Sequence, residues 1–267
     1  MASTFVRNHA TAARLSRLFI LVLFAAGACR SFAAEPPKPD HKVRIVLVGD
    51  STVTDKSGWG LGFKEFLTDG AECINASSGG RSSKSFIDEG KWTNALALKG
   101  DYYLIQFGHN DEPGKGPERE TSPDTTFTAN MTRYVVEARA IGAKPVLLTS
   151  LTRRQWDKAN PGKINSSLTP YAAAVKKIAA EQKVPLIDLH ARSIELCEKL
   201  GSDGCVKFSA VKVVDGTNVV DNTHLNEQGS VLFGGMVAGE LRRAVPELAP
   251  LLRTQPRAIP LKSASGN

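Results

Sequence analysis

The chain has 267 residues, with 34 basic and 27 acidic side chains and a formal net charge of +7. Four of the basic residues, Arg7, Arg14, Arg17 and Arg30, lie in the first 33 positions, which hold no acid; without that stretch the charge falls from +7 to +3. The length suits one large α/β domain with a full core, and so weak a basic balance gives no reason to expect a nucleic-acid partner, although it is compatible with an anionic polysaccharide.

In chain order, residues 1–34 read as a secretory signal peptide. A basic n-region precedes the apolar run 18–26, and small residues at Ser31, Ala33 and Ala34 mark a cut near Ala33 or Ala34. The run is too short for a comfortable membrane span. The expected location is therefore secreted or periplasmic. Cys29, after Ala26-Gly27-Ala28, loosely resembles a lipoprotein box, which leaves a lipid-anchored protein as the alternative. Residues 35–42 read as an exposed lead-in. A single domain is expected over 43–250, followed by a flexible tail over 251–267.

Within the domain, the apolar run 43–48, with Arg44 as its one polar residue, suits a strand buried on both faces of a parallel sheet. A helix is expected around 60–67, a short strand over 72–75, and a flexible loop over 77–83 with its serines and glycines. A third strand spans 101–107, and a long polar loop follows over 111–124. Helical periodicity covers 126–141. Strands over 145–149 and 185–189 flank a polar loop (152–167) and a helix (170–181). A helix over 191–200, an irregular segment to 220 and a last helix over 225–245 complete the chain. Strands alternate with helices throughout, which predicts one doubly wound α/β/α fold with about five parallel strands. Ligands in such folds bind beyond the carboxyl ends of the strands.

The chemistry-bearing residues fall at those ends. Gly49-Asp50-Ser51-Thr52 follows the first strand, and Ser51 is a candidate nucleophile. A serine needs a base, and Asp221-Asn222-Thr223-His224 supplies an imidazole with a carboxylate three residues before it. At that spacing Asp221 can accept from Nδ1–H of His224 and leave Nε2 for Ser51. The oxyanion of such a reaction needs donors held in place. The Ser51 N–H, Gly80 after the second strand and the Asn110 side chain after the third are the candidates. His109 reads as a positioning or core residue that could also contact substrate. Each motif alone is weak, since Gly-Asp-Ser is also a turn or a helix N-cap. Cys197 and Cys205, close in sequence around Gly201 and Gly204, read as a local disulfide in an oxidising compartment. Cys73 reads as a buried free thiol. No CxxC or paired-histidine spacing calls for a metal.

Taken together, Gly49-Asp50-Ser51-Thr52, Gly80-Arg81-Ser82, Phe107-Gly108-His109-Asn110-Asp111 and Asp221-Asn222-Thr223-His224-Leu225 resemble the four blocks of the SGNH (GDSL-like) hydrolase superfamily. The Gly-Asp-Ser-Thr form, the Gly79-Gly80-Arg81-Ser82 loop and Leu151-Thr152-Arg153-Arg154 narrow the resemblance to the rhamnogalacturonan acetylesterase-like family. The resemblance implies a flavodoxin-like fold and a metal-independent, cofactor-free, two-step ester hydrolysis. It implies acetate as the acyl group; the expected partner is an acetylated polysaccharide or oligosaccharide substrate, and no stable protein partner is implied. Arg81, Arg153 and Arg154 are then candidates to face uronate carboxylates, and Trp59 and Trp156 to stack on sugar rings. An acetylxylan or other carbohydrate O-acetylesterase is the neighbouring expectation. A flavodoxin-like cofactor module or a non-catalytic glycan-binding protein is the remote one.

Overall fold

A computed structural model describes residues 41–257. The expected leader, its cleavage positions and Cys29 lie outside the described residues, as do positions 258–267. Five strands, β1 (Val43–Gly49), β2 (Ala71–Asn75), β3 (Tyr102–Gln106), β4 (Lys144–Leu148) and β5 (Leu186–Ile187), form a parallel sheet in the order β2-β1-β3-β4-β5. Seven α-helices are described: α1 (Gly60–Lys64), α2 (Ser83–Asp88), α3 (Lys91–Leu96), α4 (Thr128–Ala140), α5 (Thr169–Gln182), α6 (Leu189–Val206) and α7 (Glu227–Ala244). The architecture is the expected flavodoxin-like α/β/α sandwich.

The strand β1 shows why both faces are covered. Side chains alternate along a strand, so Ile45 and Leu47 enter one core while Val46 and Val48 enter the other, all fully buried. The first core is closed by Phe63 of α1, Leu189 of α6 and Phe233 and Val237 of α7. The second is closed by Trp92 of α3, Met131 and Tyr134 of α4 and Val175 of α5. Strand order reverses between β1 and β3, so the crevice at their carboxyl ends is the natural site.

Several elements depart from expectation. The serines that read as loop include Ser82, which caps α2 in a reciprocal capping box with Ser85, so polarity here starts a helix. Both α2 and α3 are six residues long, too short to show a periodic stripe. The helix α6 runs on to Val206 across a break at Gly201 (φ 70°). The segment expected to be irregular holds a hairpin, β6 (Ser209–Val214) with β7 (Thr217–Leu225), turned by Asp215 and Gly216 at φ 48° and 75°. Asp221 and His224 therefore lie on β7, and the last helix starts at Glu227 behind its cap Asn226 rather than at Leu225. The packed unit does not stop at 250: Leu252 pairs with Leu67, and Arg257 N–H donates to Glu65 O at 2.8 Å.

The expected Cys197–Cys205 disulfide is corrected as well. Both are buried free thiols, and Cys73 is a half-buried one. The break at Gly201 bends α6 so that the Cys205 thiol donates to the Cys197 carbonyl at 3.7 Å, where the sulfur is already satisfied. Burial pushes the Cys197 thiol up to about 12 and raises that of Cys205, so neither is a thiolate at neutral pH.

Candidate active site

Strand β1 ends at Gly49 because nothing larger fits. A Cβ there would stand 2.5 Å from Val53 Cγ2 and 2.6 Å from Gln106 O. The turn that follows is fixed from beneath. Asp50 Oδ1 accepts from Thr52 N–H (2.8 Å) and Thr52 Oγ1–H (2.7 Å). Thr52 Oγ1 accepts from Gln106 Nε2 (2.8 Å), and Gln106 Oε1 accepts from Trp59 Nε1–H (3.0 Å). From above, Thr54 and Ser57 hydroxyls donate to the Ser51 carbonyl at 2.8 and 3.1 Å. Ser51 is left half-buried on a rigid corner.

The hairpin brings His224 to it. His224 Nε2 lies 2.8 Å from Ser51 Oγ, and His224 Nδ1 lies 2.9 Å from Asp221 Oδ2. Asp221 Oδ1 accepts the backbone N–H of Thr223 (2.7 Å) and of His224 (3.0 Å). Burial alone would raise the Asp221 carboxyl, but the His224 ring and those two N–H groups outweigh it and hold it at about 2. A hydroxyl, an imidazole and a carboxylate in this relay can take the proton from the serine and stabilise the imidazolium that forms.

The candidate oxyanion donors converge on the same corner. A Cβ on Gly79 would lie 3.6 Å from Ser51 Cβ, so the β2 loop runs directly beside the serine. Gly80 has φ +75°, a conformation that an L side chain strains to adopt. Asn110 Nδ2 donates to Arg81 O at 3.1 Å, which ties the loop after β3 to the loop after β2. Beneath it, Asp111 accepts from Ser83 N–H (3.0 Å), Ser83 Oγ–H (2.6 Å) and Thr121 Oγ1–H (2.9 Å). Burial still dominates and pushes the Asp111 carboxyl up to about 7.

The six substrate candidates divide. Trp59 is fully buried with its indole N–H on Gln106, so it holds the Ser51 turn and does not stack on a sugar. His109 is 2% exposed, with Nδ1 3.6 Å from Asp50 Oδ2 and both ring nitrogens lacking a hydrogen-bond partner. It is a core residue behind Ser51 and Asn110, not a substrate contact. Arg154 is 5% exposed with its guanidinium on backbone carbonyls, so it does not face a ligand carboxylate. Arg81 is half-buried and pairs with Glu89 Oε2 (2.9 Å) and Gly79 O (2.9 Å). Arg153 pairs with Glu112, donates to His109 O at 3.0 Å, and lines a cleft of about 880 Å³ with Glu112, Gln155 and Tyr171. Trp156 lines a second cleft, of about 590 Å³, with Asn165 and Asn222.

Sequence reasoning passed over Gln106. The trace it leaves is a single amide at the end of the otherwise apolar run of β3, where a buried polar group must find partners. Among the described residues, no three His, Cys, Asp or Glu side chains converge as a metal site.

Comparison with known proteins places the chain among relatives. The model of the GDSL-like lipase/acylhydrolase family matches residues 47–232. The rhamnogalacturonan acetylesterase RhgT of Bacillus subtilis (strain 168) is 36% identical over 213 residues, covering 73% of this chain and 88% of that protein. The rhamnogalacturonan acetylesterase of Emericella nidulans is 28% identical over 212 residues, covering 70% and 79%. The crystal structure of YxiM from B. subtilis superposes with a TM-score of 0.63 at 26% identity, over 76% of this chain; the chain spans 56% of that structure's length. A variant of the acetylxylan esterase Axe2 from Geobacillus stearothermophilus has a TM-score of 0.55 at 14% identity, covering 78% and 96%, a likeness of fold alone.

Proposed function

The chain belongs to the GDSL-like lipase/acylhydrolase family and is a carboxylic ester hydrolase, and from that premise we propose that it removes O-acetyl groups from a plant cell-wall polysaccharide, pectic rhamnogalacturonan first. One observation carries the proposal: the Asp221–His224–Ser51 relay, closed at 2.9 and 2.8 Å, with Gly79 against Ser51 and Asn110 fastened to the same loop. The substrate class is supported by the relatives, named as rhamnogalacturonan acetylesterases, that match most of the chain.

The mechanism follows from the atoms. His224 Nε2 takes the Ser51 proton as Oγ attacks the acetyl carbonyl. The tetrahedral oxyanion is met by the Ser51 and Gly80 N–H groups and by the Asn110 Nδ2–H that Arg81 O leaves free. The imidazolium, stabilised by Asp221, returns its proton to the departing sugar oxygen. Water, deprotonated by His224, attacks the acetyl-serine, and collapse of the second tetrahedral species releases acetate and restores Ser51.

A second reading has an observation of its own. Arg81 and Arg153, the two candidate arginines other than the buried Arg154, are already paired with Glu89 and Glu112. A site whose cations are neutralised internally suits an uncharged backbone such as acetylxylan better than a polyuronate. The experiment is acetate release from acetylated rhamnogalacturonan and from acetylxylan, by the parent and by Ser51→Ala. Release by the parent on the first substrate alone supports the first reading, and on the second alone the other. Equal release by Ser51→Ala removes the serine mechanism.

The protein is proposed to act outside the cytoplasm, as the basic-apolar-small order of residues 1–34 supports. Mass spectrometry of the exported protein tests this: a start near Glu35 fits a free enzyme, and a lipidated Cys29 the anchored alternative.

A further inference from the structure

The hairpin pairing contains a large irregularity. Ser209 stands opposite Leu225, yet two residues later Val211 stands opposite Val220, so Asp221–His224 is an excursion from the ladder facing a single residue, Ala210. An excursion of that size frees backbone groups that a regular ladder would pair, and buried backbone groups need partners. The N–H groups of Thr223 and His224 go to Asp221 Oδ1. The carbonyls go to one residue on a different element. Arg154 N–H donates to Asn222 O (2.7 Å). Its Nη2 donates to Asp221 O (2.9 Å) and His224 O (2.6 Å), and its Nη1 to Thr223 O at 3.4 Å. Its Nε donates to Ser209 Oγ at 2.9 Å, and Ser209 Oγ–H in turn donates to Cys205 O at 2.8 Å.

This matters because the base does not sit on the central sheet. The nucleophile follows β1, while Asp221 and His224 belong to a two-stranded hairpin whose valines are open to solvent, Val213 being 69% exposed. The hairpin's Ser209/Leu225 end is buried, with Leu225 N–H donating to Ser57 O at 2.9 Å, but the rest lacks such packing, and a two-stranded hairpin by itself is marginal in water. Arg154 follows β4 by six residues, so it joins the hairpin to the body that carries Ser51. A planar fork of five donors can satisfy carbonyls of several residues at once, which an ammonium cannot.

We propose that Arg154 is a positioning residue for ester hydrolysis: its backbone N–H and guanidinium gather the carbonyls of Asp221–His224 and thereby hold the imidazole against Ser51. The proposal rests on the reading of Ser51, His224 and Asp221 as the catalytic set. Arg154 itself touches neither substrate nor reacting atoms.

The test compares the parent, Arg154→Lys, Arg154→Met and Ser51→Ala on p-nitrophenyl acetate, a minimal ester with no glycan to bind. Melting temperature and the downfield NMR resonance of the His224 Nδ1 proton are followed alongside. The expected result is a kcat lowered about 10²-fold in Arg154→Met, the scale of a catalytic group displaced by about 1 Å, with KM changed much less. Arg154→Lys falls between, methylguanidinium restores part of the Arg154→Met rate, and the Nδ1 proton broadens or shifts in both. Folded variants with the parent's kcat and an unmoved Nδ1 resonance overturn the proposal. So does a fall in melting temperature with kcat per folded molecule unchanged, the mark of a purely structural residue. Should Arg154→Met not fold, Ser209→Ala, which removes the Nε acceptor and the Oγ–H donor to Cys205 O but leaves the guanidinium on the Asp221–His224 carbonyls, is read in the same way. A fully active Ser51→Ala would instead overturn the catalytic reading. The Nδ1 resonance would then still report whether Arg154 orients His224.

Discussion

Ser51 and His224 are 173 residues apart in the chain and 2.8 Å apart in the structure, one on a turn of the central sheet and the other on an outlying hairpin. The contact is held from both sides. Asp50, Thr52, Gln106 and Trp59 fix the serine's turn, and Asp221 and Arg154 fix the histidine's. Each side can be loosened without emptying the site.

Asp221→Asn tests the histidine's tautomer. The amide oxygen can still accept from the Thr223 and His224 N–H groups, but the amide N–H₂ now faces Nδ1 and favours the tautomer with hydrogen on Nε2. His224 then cannot accept the Ser51 proton. The expected fall in kcat is about 10⁴-fold, as for the equivalent change in other serine hydrolases, with melting temperature nearly unchanged. Activity within tenfold of the parent would mean that the carboxylate does not set the tautomer.

The oxyanion donors are tested by Asn110→Ala. Losing one such donor costs about 10²–10³-fold in kcat, and KM for a small ester should stay close to the parent's. Gly80→Ala is the companion. A Cβ there meets nothing within 4 Å, so its cost comes from φ +75°, about 1–2 kcal/mol in a non-glycine residue. A rise in KM with kcat intact in Asn110→Ala would instead assign that side chain to ground-state binding.

Trp59→Phe separates a structural tryptophan from a sugar-stacking one. The change leaves Gln106 Oε1 buried without its donor, a loss of about 1–3 kcal/mol measurable by denaturant unfolding. KM for a polymeric substrate should not rise. Unaltered stability with a weakened KM would return Trp59 to the glycan surface.

Asp111 predicts a pH dependence of stability. Its folded pKa, about 7, stands above the ordinary value of 3.8, so between about pH 4 and 7 the folded protein holds a proton that the unfolded chain has lost. Its contribution to stability is therefore fully present in acid and declines as pH rises through that window. The difference in melting temperature between the parent and Asp111→Asn should drop from pH 4 to 7. A constant difference would show that Asp111 ionises normally in the fold.

Much of the fold was legible because the parallel strands are buried on both faces and read as short apolar runs, as over 45–48 and 102–105. The hairpin was missed although Asp215-Gly216 between valine-rich stretches is a turn signature; the valines that should have marked strands face solvent and so form no buried stripe. The helices α2 and α3 were missed because six residues show too little of a 3.6-residue period.

Sequence alone determined which atoms are available: a serine behind a glycine at a strand end, a histidine three residues after an aspartate, an asparagine after another strand. Those are local chemistry, readable from residue type and spacing. Tertiary structure decided which arginine does what. Arg153 and Arg154 are adjacent and chemically identical, yet one lines an open cleft beside Glu112 and the other is buried on the carbonyls of Asp221–His224. No spacing rule separates them, because the difference lies in what a hairpin more than fifty residues downstream places against the Arg154 guanidinium alone.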